Sequence, residues 1–319
     1  MALANLSDIL ERVYTEGGRQ FNDAWGDLLK SPGEWAAFTS ILKTNARTLS
    51  LPYIEDYPRF EDLDAVPGGN VSFSDLSAGT YGITPHRHGA GIKMKDIDLD
   101  DDAMGIVIAR INELIDSAAV EMERQAFDCL KSGIAVTNYG ACSDGTTAFF
   151  SATHYGYPAV GSIALAANQA NYDAGHGSGP WYLLDCSKAL KPIIMAARKD
   201  AIFERESADS SHKFETDEYR WKIEGRMRAG YGMWQRAYCN TNALTEDTLW
   251  TTKTAMQAFR NKKGMPLNVK PTHLLVAPAD EQVAQNLLNR MYIQGTAAAL
   301  SNEPVKALKL QLVVSEWLA

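Results

Sequence analysis

"PWYLLDCSKALKPIIMAARK" spans Pro180–Lys199, and two readings compete for it. In one, Cys186, flanked by Asp185 and the cation of Lys188, is an activated nucleophile. In the other, the apolar runs around it are β-strands and the thiol is a small packing residue at a strand end. A reactive cysteine needs a depressed pKa and normally a general base. Lys188 supplies a cation, but no nearby motif supplies a base. Free cysteines are most often buried packing residues, so the informative positions are Leu183, Leu184, Ile193, Ile194 and Met195, and the stretch reads as part of a sheet.

The strand texture continues on both sides of Lys199. "WYLLD", "KPIIMAAR" and "AIFER" read as strands, and "YRWKIEGRMRAGYGMWQRAY" sets Trp221, Ile223 and Met227 between charged residues, as a half-buried antiparallel sheet would. After Asn242 the pattern becomes helix–strand–helix–strand. "TEDTLWTTKTAMQAFRNKKG" opens on a Thr-x-Asp pair and closes on Gly264, as a capped helix does. "THLLVAP", "ADEQVAQNLLNR" and "ALKLQLVVS" follow as strand, helix and strand. Upstream, residues 134–180 are rich in Gly, Ala, Asn, Ser and Tyr and suggest a loop-dominated excursion.

Before that excursion lies the strongest helical signal, from about Asp102 to Lys131. Met104, Val107, Ile108, Ile111, Leu114, Ile115, Ala118, Met122, Ala126 and Leu130 recur every three or four residues. Asp100–Asp102 offer an N-cap and charge suited to the helix dipole, and Gly133 is a C-terminal stop. At 1.5 Å per residue this is a rod of about 45 Å, a structural spine. Residues 51–98 are punctuated by prolines and glycines, with short alternating runs such as "NVSFSDL" and "GIKMKDIDL" between them. They read as a long hairpin or extended loop too poor in apolar residues for a core of its own. Residues 1–50 are amphipathic in patches, with Trp25, Trp35, Phe38, Ile41 and Leu42 as anchors.

The 319 residues suffice for one large or two ordinary domains, and 45% hydrophobic with 22% charged is a globular composition. The formal charge is −8 with no Lys/Arg block, which argues against a dedicated DNA binder with a phosphate-neutralising stripe. "MALANLSDILERVYTEGG" reads as an amphipathic helix rather than a signal peptide, and no apolar run approaches the ~20 residues that span a bilayer. No membrane association is expected. Cys129, Cys142, Cys186 and Cys239 are widely spaced and read as reduced thiols of a cytosolic chain.

Other candidate sites fall one by one. His86 and His88 in "TPHRHG" could share a strand face, but zinc sites need three or four ligands and none stands nearby. "DIDLDDD" (Asp96–Asp102) lacks the sixth-position glycine and twelfth-position acid of a calcium loop, Val107 standing at the twelfth; helix capping accounts for it. "GHGSGP" (Gly175–Pro180) precedes a strand where a dinucleotide fingerprint follows one, and Pro180 replaces its last glycine. There is no phosphate-binding P-loop and no nucleophile elbow. His154, His176, His212 and His273 are scattered singly and read as structural. No catalytic, cofactor-binding or metal-binding residue is expected, and no cofactor. A chain with a long spine, a turn-rich hairpin and no site is better explained as one built to pack against copies of itself.

The motifs "WYLLDCSKALKPIIMAARKDAIF", "EGRMRAGYGMWQ", "VKPTHLLVAPADEQVAQNLLNR" and "LQLVVSEWL", in that order, resemble the major head subunits of Mu-like phages and prophages (gene product T). The resemblance covers roughly residues 100–319. It implies the α+β Hong Kong 97-type capsid fold, with an N-terminal arm (1–50), an E-loop (51–98), a P-domain (99–242, including a spine helix over 102–132) and an A-domain (243–319). In the usual form long P-domain strands follow the A-domain; here the strand-rich segment 181–240 precedes 243–319, so a permuted order is expected.

The implied function is structural: pentamers and hexamers closing an icosahedral shell around double-stranded DNA held without sequence-specific contacts. The expected contacts between subunits are the E-loop tip (Val71, Phe73, Leu76, Tyr81) and the arm aromatics Trp25 and Trp35. Portal, scaffold and decoration proteins are the expected partners, with assembly in the bacterial cytoplasm and residence in the virion. No covalent cross-linking is expected. Two rivals stand beside this: an encapsulin-type compartment of the same fold, and a cysteine-dependent hydrolase built on Cys186.

Overall fold

The computed structural model describes residues 19, 33–52, 80–95, 104–136, 138–142, 147–154, 168–175, 179–206, 215–260, 265–289, 292–294, 300–302 and 308–319. The apolar period upstream of Lys131 forms one helix, α1 (Met104–Lys131). Leu114, Met122, Ala126, Phe127, Cys129 and Leu130 on its inner face are buried. Its flank beside β4 carries Arg124 paired with Glu121 at 2.8 Å and with Asp128 at 2.7 Å, the i,i+3 and i,i+4 spacings that support a helix. The helix runs into a 3-10 turn at Ser132–Ile134. Gly133 is required there because a Cβ would lie 2.8 Å from the Phe150 ring. The expected N-cap at Asp100–Asp102 lies outside the described residues.

Beneath α1 lies a four-stranded sheet in the order β1-β7-β8-β4, where β1 is Thr39–Lys43, β4 His86–Lys95, β7 Ile193–Arg205 and β8 Glu218–Tyr231. Strand β1 runs parallel to β7, and the other pairs are antiparallel. "KPIIMAAR" and "AIFER", expected as separate strands, are one strand whose pairing slips between Ala197 and Lys199 and again between Lys199 and Ile202. Such a bulge bends a long strand without ending it. Tyr219, Trp221, Ile223 and Met227 of β8 are buried on the α1 side while Arg220 and Lys222 are exposed on the other, the alternation that the sequence shows. At ~3.3 Å per residue β8 spans about 46 Å, close to the ~42 Å of α1.

The opposite face is covered by apolar side chains near the base of the hairpin. A ladder of β2 (Leu49–Pro52) with β3 (Thr80–Ile83) packs there, Ile83 meeting Ile194 and Ala196. Gly230 makes room: a Cβ on it would sit 2.6 Å from the Ile83 side chain.

A second sheet has five strands in the order β13-β10-β6-β9-β5, with β5 at Tyr172–Asp173, β6 at Trp181–Leu184, β9 at Ala237–Asn240, β10 at His273–Val276 and β13 at Gln311–Val314. All residues of β6 and β9 are buried. Helices α2 (Glu246–Gln257) and α3 (Glu281–Asn289) flank the strands in sequence, and a small ladder joins β11 (Tyr292–Gln294) to β12 (Leu300–Asn302). The expected cap on α2 is Thr245, in a reciprocal box with Thr248; the helix ends at Gln257, and Gly264 lies outside the described residues.

The strand-rich segment 181–240 is thus divided. Its middle, β7 and β8, builds the sheet under α1, while its ends, β6 and β9, pair with each other and β6 pairs with β10 across the 242/243 boundary. The long hairpin leaves the five-stranded sheet after β6 and returns at β9. At its neck the Gly232 amide donates to the Pro192 carbonyl at 2.7 Å. A Cβ on Gly232 would lie 2.7 Å from the Lys191 carbonyl oxygen, so only glycine lets the two backbones meet. Aromatic rings bridge the sheets. Tyr231 stacks on Phe149 at 4.6 Å, Phe149 meets Phe150 edge-on at 4.9 Å, and Phe150 leans on Tyr182 of β6 at 5.5 Å. Residues of the expected loop excursion therefore supply part of the core.

Candidate functional site

Cys186 lies just past the end of β6, where its amide donates to the Thr272 hydroxyl at 3.0 Å. Burial pushes its thiol up to about 12, against the weaker opposing pull of Lys191. A thiol with that pKa is ionised to only about one part in 10⁵ at neutral pH. Its side chain bonds to Thr272, a hydroxyl that cannot act as a base. Asp185 is also committed: its buried carboxylate accepts the amides of Ser187 at 3.0 Å and Lys270 at 3.1 Å, tying the end of β6 to the segment that leads into β10. Lys188 is exposed. The cluster is a packed strand end.

His86 and His88 do share the α1 face of β4, but each is occupied. His86 bonds to the Arg228 guanidinium, and burial together with that cation holds its pKa below the ordinary histidine value. A guanidinium in contact with an imidazole repels a metal cation. His88 Nδ1 lies 3.3 Å from Glu121 Oε1. Among the described residues, no three His, Cys, Asp or Glu side chains come together as a metal site. His154 is buried and stacked on Trp234 at 3.9 Å, while His176 and His212 lie outside the described residues.

With the chemical candidates used up by packing, the surfaces remain. Trp25, Val71, Phe73 and Leu76 lie outside the described residues. Trp35 is 1% exposed, in a short turn at Glu34–Ala37 whose Ala36 carbonyl accepts from Lys191 Nζ. Its ring is spent inside its own subunit and leaves no face for a neighbour. Tyr81 is half-buried; its hydroxyl accepts the Tyr231 amide at 3.1 Å and donates to the Tyr139 carbonyl at 3.4 Å. It anchors the β2–β3 ladder rather than projecting from it. Sequence reasoning singled out the large aromatics, but a core aromatic and a contact aromatic carry the same pattern.

The described apolar side chains that are free lie elsewhere. Ile134 and Val136 follow the end of α1, Val120 is on its outer face, and Leu190, Ile202 and Val283 are likewise exposed. Val120 falls outside the apolar stripe of α1 and was legible on that ground; the others carry no signal. The face of the four-stranded sheet away from α1 is polar, with ion pairs Arg87–Glu224 at 2.5 Å, Lys93–Glu218 at 2.9 Å and Lys222–Glu204 at 2.9 Å. Exposed pairs of this kind add little to the stability of the fold.

A spine helix on a long hairpin, a second sheet and spare surface suit a shell subunit, and the comparisons with known proteins agree. The family model of the Mu-like prophage major head subunit gpT matches residues 10–318, so the likeness takes in most of the N-terminal third as well. The chain is 32% identical to the major capsid protein of Escherichia phage Mu, over 93% of this chain and 94% of that one. It is 28% identical to the Mu-like prophage FluMu major head subunit of Haemophilus influenzae, over 99% and 100%. Its fold is that of a chain in the procapsid of bacteriophage JBD30, with a TM-score of 0.73 and 25% identity over 93% of this chain and 96% of that one. These relatives are structural head proteins, which leaves neither the hydrolase nor the encapsulin-type reading any support. The chain belongs to the Mu-like prophage major head subunit family, the major capsid proteins of Mu-like phages, and has their α+β Hong Kong 97-type fold.

Proposed function

We propose that this subunit closes an icosahedral shell of hexamers and pentamers around double-stranded DNA by laying the segment between β2 and β3 over a neighbouring copy. In this reading α1 with the sheet β1-β7-β8-β4 is the P-domain, the five-stranded sheet with α2 and α3 is the A-domain, and residues 53–79 are the distal E-loop. The observation that carries it is the β2–β3 ladder. It clamps both ends of that segment to the sheet through Ile83, Ile194 and Ala196. A segment held at its base, with Val71, Phe73 and Leu76 in its sequence, has apolar groups to bury against another copy. Heterologous contacts of this kind generate closed rings when the rotation between copies closes. DNA is held without sequence-specific contacts. Portal, scaffold and decoration proteins complete the head, and assembly takes place in the bacterial cytoplasm.

The test is to replace residues 56–76 with a short Gly-Ser linker, sparing β2, β3 and Tyr81. Subunits should keep their circular dichroism and cooperative melt while the yield of closed shells, measured by sedimentation, falls at least tenfold. Shells at normal yield would overturn the assignment.

A further inference from the structure

His86 and Arg228 meet without a counter-charge. His86 opens β4 and is exposed, and Nη1 of Arg228 from β8 lies 2.5 Å from its Nε2. A guanidinium has only N–H groups to offer, so the imidazole accepts this bond through a bare Nε2 and carries its hydrogen on Nδ1. The same guanidinium donates through Nη2 to the Asn138 carbonyl and sits 5.6 Å from the centre of the Tyr139 ring. The Tyr139 carbonyl accepts the Tyr81 hydroxyl, which accepts the Tyr231 amide. A line of contacts thus runs from His86, through the segment that follows α1, to β3 at the root of the β2–β3 ladder.

The charged groups around this pair are committed elsewhere. From α1, Arg124, Gln125 and Asp128 line the same open hollow of about 600 Å³, with His88 of β4 beside them. Arg124 holds both Asp128 and Glu121, and Glu121 also faces His88 Nδ1 at 3.3 Å. Burial raises the pKa of the Tyr139 hydroxyl and of the Cys129 thiol near Arg228, so neither supplies an anion at neutral or acid pH. Among the described residues, the ion pairs of α1, β4 and β8 include neither His86 nor Arg228. A proton on His88 is met by a carboxylate; a proton on His86 is met by a cation.

We propose that His86 is a proton-operated latch: protonation at Nε2 breaks its bond to Arg228, and repulsion between the two cations frees the guanidinium from Asn138 and Tyr139 and loosens the root of the β2–β3 ladder. Solvent reaches the exposed ring directly, so no prior opening is needed. Partial burial, the Arg228 charge and His88 hold the His86 pKa below 6.5, and that fixes the sign. The folded subunit binds this proton less tightly than the unfolded chain does. The stability contributed by the latch is therefore complete above the ordinary histidine value and is lost as the pH falls through the lower, folded one. The device lies within one subunit and does not depend on what residues 53–79 touch.

The experiment is hydrogen exchange on full-length dissociated subunits, read by mass spectrometry and corrected for the intrinsic effect of pH. Peptides covering the β2–β3 ladder and residues 138–142 should exchange about fivefold faster at about pH 5.5 than at about pH 7.5, either side of the ordinary histidine value. Peptides from β6 and β9 should not change. His86→Gln keeps an acceptor near the place of Nε2 but takes up no proton, so it should stay protected at both pH values. His86→Lys carries a permanent charge and should exchange at pH 7.5 as the unaltered chain does at pH 5.5. His88→Gln should leave the step in place. The proposal is overturned by an equal step in His86→Gln, by a His86→Lys chain that stays protected at pH 7.5, or by loss of the step in His88→Gln. A matching rise in the β6 and β9 peptides would mean unfolding of the whole subunit rather than a latch, and overturns it too.

Discussion

Trp35→Ala is expected to destabilise the isolated subunit by about 3–5 kcal/mol, the usual cost of truncating a large buried aromatic and leaving a cavity. The ring is 1% exposed and belongs to the core cluster that α1 and the long hairpin share. Its neighbour in the same turn, Phe38, meets Phe127 of α1 edge-on at 5.1 Å, and Lys191 holds the Ala36 carbonyl from the neck of the hairpin. The turn at Glu34–Ala37 therefore pins the start of β1 to both other elements, and a void there cannot be closed by moving one side chain. Urea melts of dissociated subunits give the measurement. A lower midpoint with an unchanged slope is the expected result. Unchanged stability with failed assembly would mean that Trp35 serves a neighbour.

Asn171→Leu is expected to cost about 4 kcal/mol for a different reason. Asn171 is fully buried. Its Oδ1 accepts the Ser151 amide at 2.8 Å, and its Nδ2 lies 2.9 Å from the Phe149 carbonyl and 3.2 Å from those of Trp234 and Ala237. One side chain thus joins residues 149–151, the 3-10 turn at Trp234–Arg236 and the start of β9. An apolar isostere removes the partner of the Ser151 amide and weakens the bonding of the three carbonyls, at ~1–3 kcal/mol for each group left unpaired. It would cut the link where the hairpin rejoins the five-stranded sheet. The same urea melt should show the loss, and Asn171→Asp should cost at least as much, because a buried carboxylate oxygen would then face three carbonyl oxygens. A loss below 1 kcal/mol would show that water or a shift of the backbone replaces those bonds.

How much of this was legible depends on the range of the interactions that decide each part. Helix α1 and strand β8 announce themselves because their period is local: ten apolar positions at helical spacing in one, Trp221, Ile223 and Met227 in the other. The family was legible from four ordered motifs in the last 140 or so residues. The five-stranded sheet was not. Strands β6 and β9 are four residues long and buried on both faces, so they show no alternation, and their partners lie far off in the chain. The division of 181–240 between two sheets follows from that. Asp185 is the same lesson at one residue. Beside Cys186 in the sequence it resembles part of a catalytic group, but its carboxylate accepts the nearby Ser187 amide and that of Lys270, the second of which no local pattern links to it. The contact aromatics were illegible in principle, because burial within a subunit and burial between subunits select the same side chains.

Electron cryo-microscopy of the purified full-length chain addresses the central claim most directly. The account predicts closed shells built of six- and five-subunit rings. Their subunit density should accept α1 lying on the long hairpin and should show the segment that leaves the β2–β3 ladder crossing onto an adjacent copy. Monomers or open aggregates at every salt concentration, or shells in which that segment stays on its own subunit, would contradict it.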